Sequence, residues 1–249
     1  MIQRRLLLLA APALLARPAT AQNLAAANAE GRLTTTPLAR GLANPWAVAV
    51  LPDGRMLVTE RPGRMRLVGT DGALSAPLRG VPPVVERGQG GLLDVVLAPD
   101  FARSGLVFWS YAEAANDGSA ANSTAVARGR LDLAALALTE VRVIFRQRPK
   151  FDSGAHFGSR LVFDRDGHLF ITLGDRFTRS EDAQTLDNDH GKVLRIRADG
   201  GVPADNPFVG QASALPELWS FGHRNLLGAA LHPGTGLLWT HEHGPQGGD

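Results

Sequence analysis

Short apolar, β-branched or aromatic runs alternate with turn-forming residues along most of the chain, and one unit recurs four times. Leu51-Pro52-Asp53-Gly54 leads into Met56-Leu57-Val58-Thr59-Glu60, and Ala98-Pro99-Asp100-Phe101 into Leu106-Val107-Phe108-Trp109-Ser110. Asp164-Arg165-Asp166-Gly167 precedes Leu169-Phe170-Ile171-Thr172-Leu173, and Leu231-His232-Pro233-Gly234 precedes Leu237-Leu238-Trp239-Thr240-His241. A further strand-like run stands before each turn, at 46–50, 92–97, 160–163 and 228–231, so each unit predicts a β-hairpin. The turn anchors Asp53, Asp100, Asp166 and Gly234 lie 47, 66 and 68 residues apart.

Helical periodicity is weak throughout; its best stretch, 131–138, is short. A hairpin recurring every ~40–50 residues, with loop insertions, predicts an all-β chain folded as a β-propeller. An all-β sandwich with similar turns is the alternative. A blade takes four strands, yet the fourth unit reaches Asp249 just after its hairpin. The expectation is about four blades with the last incomplete, and a ring that continues past Asp249. A closed four-bladed ring would instead need N-terminal strands to complete the last blade.

The N-terminus bears on how the charge is read. Arg4 and Arg5 precede an apolar run, 6–15, broken only by Pro12, and Ala19-Thr20-Ala21 offers a small-x-small cleavage site. Residues 1–21 therefore predict a signal peptide and an exported, periplasmic protein; the arginine pair also admits a twin-arginine signal. Residues 22–41 form an N-terminal tail or edge strand, and 42–249 the propeller domain. No later run reaches the ~18 apolar residues of a membrane span, so no stable membrane insertion is expected. The whole chain has 26 basic and 24 acidic residues. Without Arg4, Arg5 and Arg17, 23 basic residues face 24 acidic ones, which gives no reason to expect nucleic acid as a partner. Aromatics at 6% also disfavour a base-stacking surface. Cysteine is absent, which excludes disulfides, thiolate catalysis and Cys-ligated metals.

Four segments carry polar residues at strand ends, where a propeller's channel mouth lies. Arg87-Gly88-Gln89-Gly90-Gly91 is a glycine-rich loop entering a strand. No Lys-Ser/Thr follows, so it is not a phosphate loop; it is either a tight turn or a place where Gln89 approaches a ligand. Gly154-Ala155-His156-Phe157-Gly158 enters the third hairpin, which returns through Leu173-Gly174-Asp175-Arg176. Antiparallel pairing thus places His156 and Asp175 at one end, and a carboxylate beside an imidazole suits a general base. Ser220-Phe221-Gly222-His223-Arg224-Asn225 sets a cation beside a carboxamide, suited to a developing oxyanion or a carboxylate. In Thr240-His241-Glu242-His243-Gly244-Pro245, two histidines share a strand face, but a third zinc ligand is lacking. Asp187-Asn188-Asp189 lacks the glycine and glutamate of a calcium loop and is read as a solvated turn.

Taken in order, six strings resemble one family: NPWAVAVLPDGRMLVTERPGRMR, GQGGLLDVVLAPDF, HFGSRLVFDRDGHLFITLGDR, HGKVLRIRADGGVPADNPF, PELWSFGHRNLLG and HEHGPQGGD. The chain from about Leu42 to Asp249 is similar to the soluble quinoprotein glucose/sorbosone (aldose sugar) dehydrogenases. The resemblance implies a six-bladed propeller, with about two blades beyond Asp249. It implies oxidation of the C1 hydroxyl of an aldose to a lactone, with pyrroloquinoline quinone (PQQ) and Ca²⁺ as cofactors and an external electron acceptor. By motif, His156 is the base, Asp175 orients it, and Arg224 stabilises charge on the quinone. Asn225 holds the cofactor, Gln89 lines the sugar site, and the carbonyls of Gly244 and Pro245 bind Ca²⁺. A Ca²⁺-dependent propeller lactonase and a non-catalytic sugar- or protein-binding propeller are the rival readings.

Overall fold

The computed structural model describes residues 27–28, 31–32 and 35–244. The expected signal peptide, part of the tail and Pro245 lie outside the described residues. The chain divides into two units, 1–37 and 38–249. The first contains a short hairpin, β1 (Ala27–Asn28) with β2 (Gly31–Arg32).

The second unit is a succession of antiparallel meanders, each sheet holding its strands in chain order. The first sheet has β3 (Pro45–Val50), β4 (Met56–Glu60) and β5 (Arg64–Val68). Residues 73–78 run irregularly along β5, with Ser75 N–H on the Leu67 carbonyl (2.9 Å) and Leu78 N–H on that of Met65 (2.8 Å). The second sheet has β6 (Leu92–Leu97), β7 (Leu106–Ala114), β8 (Asn122–Asp132) and β9 (Ala137–Arg146). The third has β10 (Leu161–Phe163), β11 (His168–Thr172), β12 (Lys192–Arg197) and β13 (Leu218–Phe221). The fourth is represented by β14 (Leu226–Leu231) and β15 (Leu238–Glu242). Two single-turn helices, α1 (Phe101–Ser104) and α2 (Ser180–Ala183), sit in the β6–β7 and β11–β12 connections.

All four expected hairpins are present, as β3–β4, β6–β7, β10–β11 and β14–β15. The helical stretch at 131–138 is not. It forms the end of β8, a turn and the start of β9, where Leu131 pairs with Leu138. Its leucines face the core only when the strands pair, and that burial overrides weak local propensity.

Each inner sheet is covered on both faces by its neighbours, which is why its strands are apolar without alternation. On β7, Val107, Trp109 and Tyr111 enter the core shared with the first sheet, while Phe108, between Val107 and Trp109, enters the core shared with the third. On β11, Leu169 and Ile171 face the second sheet, and Phe170 packs with Leu226 of the fourth.

A buried hydroxyl joins each sheet to the next. Thr59 Oγ accepts the Ala47 N–H (3.1 Å) of its own sheet and donates to the Leu93 carbonyl (2.6 Å) of the second. Ser110 accepts the Asp94 N–H (2.9 Å) and donates to the Ser159 carbonyl (2.7 Å). Thr172 accepts the Arg160 N–H (2.9 Å) and donates to the Leu226 carbonyl (2.9 Å). The three hydroxyls occupy one place in the repeat, late on the hairpin's second run. Thr240 stands at the same place in β15, opposite Ala229. Thr172→Val keeps the shape but leaves a buried N–H and a buried carbonyl unpaired. Each costs about 1–3 kcal/mol, so we expect a loss of roughly 2–4 kcal/mol in denaturant titrations. An unchanged midpoint would mean that the hydroxyl contributes nothing to the joint.

Candidate active site

The third hairpin brings its two flanking loops to one end. There His156 Nδ1 lies 2.7 Å from Asp175 Oδ1, both side chains being buried. An ionised carboxylate only accepts, so the proton sits on Nδ1 and the Nε2 lone pair is left outward. The same Oδ1 accepts the Phe177 N–H (2.8 Å), and the Asp175 N–H donates to the Arg224 carbonyl (2.8 Å) at the fourth sheet.

The backbone here is held in unusual conformations. Of the seven non-glycine residues with positive φ among the described residues, four are His156, Ser159, Arg176 and Phe177. Each such residue costs on the order of 1–3 kcal/mol and persists only where surrounding contacts enforce it. Gly174 is enforced differently: a Cβ there would lie 2.2 Å from the His156 carbonyl oxygen, so only glycine lets the two loops meet.

Neighbouring sheets complete the clamp. Gln89 Oε1 accepts the His156 N–H (2.8 Å), and the Gln89 N–H donates to the Gly154 carbonyl (2.7 Å). Arg61 braces the glycine-rich loop through the carbonyls of Gly88 and Gly90. Asn225 is buried, and its Oδ1 accepts the Gly158 N–H (3.1 Å). Arg224 donates through its guanidinium to the His243 carbonyl and makes no ion pair with any described residue. Gly244 is the last described residue at this end, so the expected Gly244–Pro245 carbonyl pair is only half within view.

Three contributors escaped the sequence reading. Glu242 accepts the backbone N–H groups of Arg224 (2.6 Å) and Asn225 (3.3 Å), and thereby joins two of the motifs. The flanking His241 and His243 are exposed, and they form no metal-capable group among the described residues. Arg176 is fully buried and grips the carbonyls of Ala155 (2.9 Å) and Ser153 (2.6 Å) and Asn122 Oδ1 (2.9 Å). Its guanidinium lies 3.7 Å from the Phe157 ring centroid. Phe177 sets its ring edge-on to His156, at 5.1 Å between centroids. The acid-rich cluster Asp164–Asp166–His168 lies at the β10–β11 turn, the opposite end of the hairpin from His156.

The loop after Asp175 is anchored from below. Lys192 Nζ donates to the carbonyls of Asp182 (2.9 Å), Ala183 (3.3 Å) and His190 (2.5 Å), and burial draws its pKa down to about 8. The expected solvated turn at 187–189 is corrected here: Asp187 is exposed, but Asn188 and Asp189 are buried. Asn188 Nδ2 donates to the Asp182 carbonyl (3.0 Å), and Asp189 Oδ2 accepts the Arg148 N–H (2.7 Å). Burial pushes the Asp189 carboxyl up to about 7. The folded state thus keeps this proton to higher pH than the unfolded chain, whose carboxyl titrates at 3.8. Stability present below about pH 4 is therefore lost as pH rises to about 7. Thermal unfolding across pH 4–8 is expected to show wild type losing ground to Asp189→Asn over this window. A difference between the two that stays constant with pH would rule out the protonated carboxyl.

Antiparallel meanders of up to four strands stacked in succession, with the first strands of successive sheets as neighbours, define a β-propeller. The family model for glucose / sorbosone dehydrogenases matches residues 42–249, and the chain belongs to that family. It is 51% identical over 209 residues to aldose sugar dehydrogenase YliI of Escherichia coli K12, covering 84% of this chain and 56% of that protein. Among solved structures it resembles the apo form of the soluble aldose sugar dehydrogenase of E. coli, with 48% identity and a TM-score of 0.81 over 85% of this chain and 60% of that one. It also resembles the PQQ-bound aldose sugar dehydrogenase of Streptomyces coelicolor, with 30% identity and a TM-score of 0.73 over 83% and 58%. The chain thus spans little more than half the length of these relatives.

Proposed function

We propose that this protein is a PQQ- and Ca²⁺-dependent aldose sugar dehydrogenase that oxidises the C1 hydroxyl of an aldose to the lactone. The observation that carries the reading is the buried His156–Asp175 pair, clamped by three sheets with Nε2 left outward. Asp175 fixes the tautomer and the ring's orientation, so His156 Nε2 takes the C1 hydroxyl proton. PQQ, when bound, supplies the two-electron acceptor for the hydride leaving C1. Arg224 fits an anionic cofactor, because its guanidinium has no carboxylate partner among the described residues. Asn225 uses Oδ1 on Gly158 and keeps its amide nitrogen for the cofactor. Gln89 likewise uses Oε1 on His156, which leaves its amide nitrogen for a sugar hydroxyl. The carbonyls of Gly244 and Pro245 would hold Ca²⁺, a hard cation that prefers oxygen ligands. The predicted signal peptide supports a periplasmic site of action, with electrons passing to an external acceptor. Among the described residues, no helix is long and apolar enough to cross a membrane.

The test is reconstitution of the full-length protein with PQQ and Ca²⁺, followed by aldose-dependent reduction of a dye. Activity that requires both additions and is lost on chelation supports the reading. Lactone opening with Ca²⁺ alone, without dye reduction, would replace it with the hydrolase.

A further inference from the structure

Phe177 is the one side chain beside the His156–Asp175 pair whose placement the clamp does not explain. It is large, apolar and 61% exposed. A single exposed apolar residue means little by itself. The other strongly exposed ones, Val48, Val50, Leu237 and Trp239, lie on or beside the strands of the first and fourth sheets. Phe177 instead sits on a loop, and its exposure is imposed. It and Arg176 are consecutive left-handed residues, at φ +73° and +58°, a conformation that side chains rarely adopt. Asp175 holds that turn by accepting the Phe177 N–H on Oδ1, the oxygen that also meets His156 Nδ1. Arg176, pointing inward to Ser153, Ala155 and Asn122, fixes the turn from the other side. The result is an aromatic ring standing at 80° to the imidazole, 5.1 Å away, with most of its surface open. One carboxylate therefore sets both the tautomer of the base and the position of the ring beside it.

We infer that Phe177 is a substrate-contacting, specificity-determining residue, the apolar platform against which the C–H face of the aldose ring rests while its C1 hydroxyl meets His156 Nε2. The inference rests on the aldose dehydrogenase reading above. A sugar ring presents hydroxyls at its edge and C–H groups on its faces, and an aromatic surface matches the faces. Gln89, bonded to the His156 backbone, would meet the hydroxyl edge. A flat or extended apolar face should then be preferred over one interrupted by an axial hydroxyl.

The experiment uses the full-length protein loaded with PQQ and Ca²⁺, with initial rates of dye reduction measured over a range of D-glucose concentrations. Phe177→Ala and Phe177→Leu should raise KM by roughly three- to tenfold, the usual worth of an aromatic contact. Phe177→Tyr, which keeps the ring, should stay within about twofold of wild type. In all three, kcat and the pH dependence of kcat/KM should hold, because neither the phenyl ring nor its replacements ionise near neutral pH. Unchanged KM in both Phe177→Ala and Phe177→Leu overturns the inference while leaving the dehydrogenase reading intact. So does a fall in kcat with a shifted pH profile at constant KM, which would make Phe177 a support for His156 rather than a sugar contact. Wild type that reduces no dye with glucose or any other aldose overturns the dehydrogenase reading, and the inference falls with it.

Discussion

Replacing His156 with alanine is expected to lower aldose turnover by about 10²–10⁴-fold, the usual contribution of a positioned base. The side chain is buried and bonded through Nδ1 to Asp175, so only Nε2 is left to take a proton. Asp175→Asn should also lose rate, by a separable route. An asparagine can still orient the ring, but it no longer offsets the positive charge that the imidazole acquires. The two variants should bind PQQ with near wild-type affinity, since His156 is assigned to the sugar. Steady-state rates with a dye acceptor, alongside cofactor titration by fluorescence quenching, separate the cases. Full turnover in His156→Ala would remove the base from the mechanism, whatever the family.

The largest expected loss of stability comes from Arg176→Ala. Burial and the nearby Arg87 draw the guanidinium's pKa down to about 10. Enclosing this charge therefore costs on the order of 3 kcal/mol. Against that stand three hydrogen bonds from a charged donor, at about 1.5–3 kcal/mol each, and the stacking on Phe157. The bonds win, and removing them leaves the buried Asn122 Oδ1 and the half-buried Ser153 carbonyl without this donor, and the Ala155 carbonyl with only the Ser153 hydroxyl at 3.5 Å. A loss of about 3–5 kcal/mol is expected, or roughly 10 °C in Tm. Arg176→Lys should recover little, because one ammonium cannot reproduce the planar fork. Calorimetry showing Arg176→Ala as stable as wild type would mean that the buried charge, not the bonds, dominates.

The parts of this molecule that were readable from sequence are those governed by local chemistry. The hairpins announce themselves because turn residues and apolar runs are adjacent in the chain. His156 and Asp175 could be paired in advance because a hairpin with a short turn must align its ends. The links between sheets were harder. Gln89 reaches His156 across 67 positions, and nothing near either residue specifies that its carboxamide will accept a backbone N–H. Glu242 was overlooked because the histidines beside it suggested metal chemistry, whereas its work is to satisfy two N–H groups at the start of β14. Asp187-Asn188-Asp189 looked like a solvated turn because three polar residues in sequence usually are. Two of them are instead buried, Asn188 against the Asp182 carbonyl six positions back and Asp189 against the Arg148 N–H across 41 positions. In each case a polar side chain serves a distant backbone, and that kind of pairing leaves no periodic trace.

The hydroxyl joints also decide where this architecture can grow. Each depends on one residue late in a hairpin and one carbonyl near the start of the following sheet. Residues added in the outer strands or their connections do not enter the joint at all, which is how spacings of 47, 66 and 68 residues coexist with one mode of coupling. The tip of the β7–β8 connection illustrates such permissive ground, since a Cβ at Gly118 would meet nothing within 4 Å. A single residue inserted between Met56 and Thr59 is the opposite case. It would turn the hydroxyl to the other face of β4 and uncouple the first two sheets, although no buried apolar side chain had been deleted. Length variation among propellers built this way is therefore channelled to the rim, while the inner hairpins stay fixed in size.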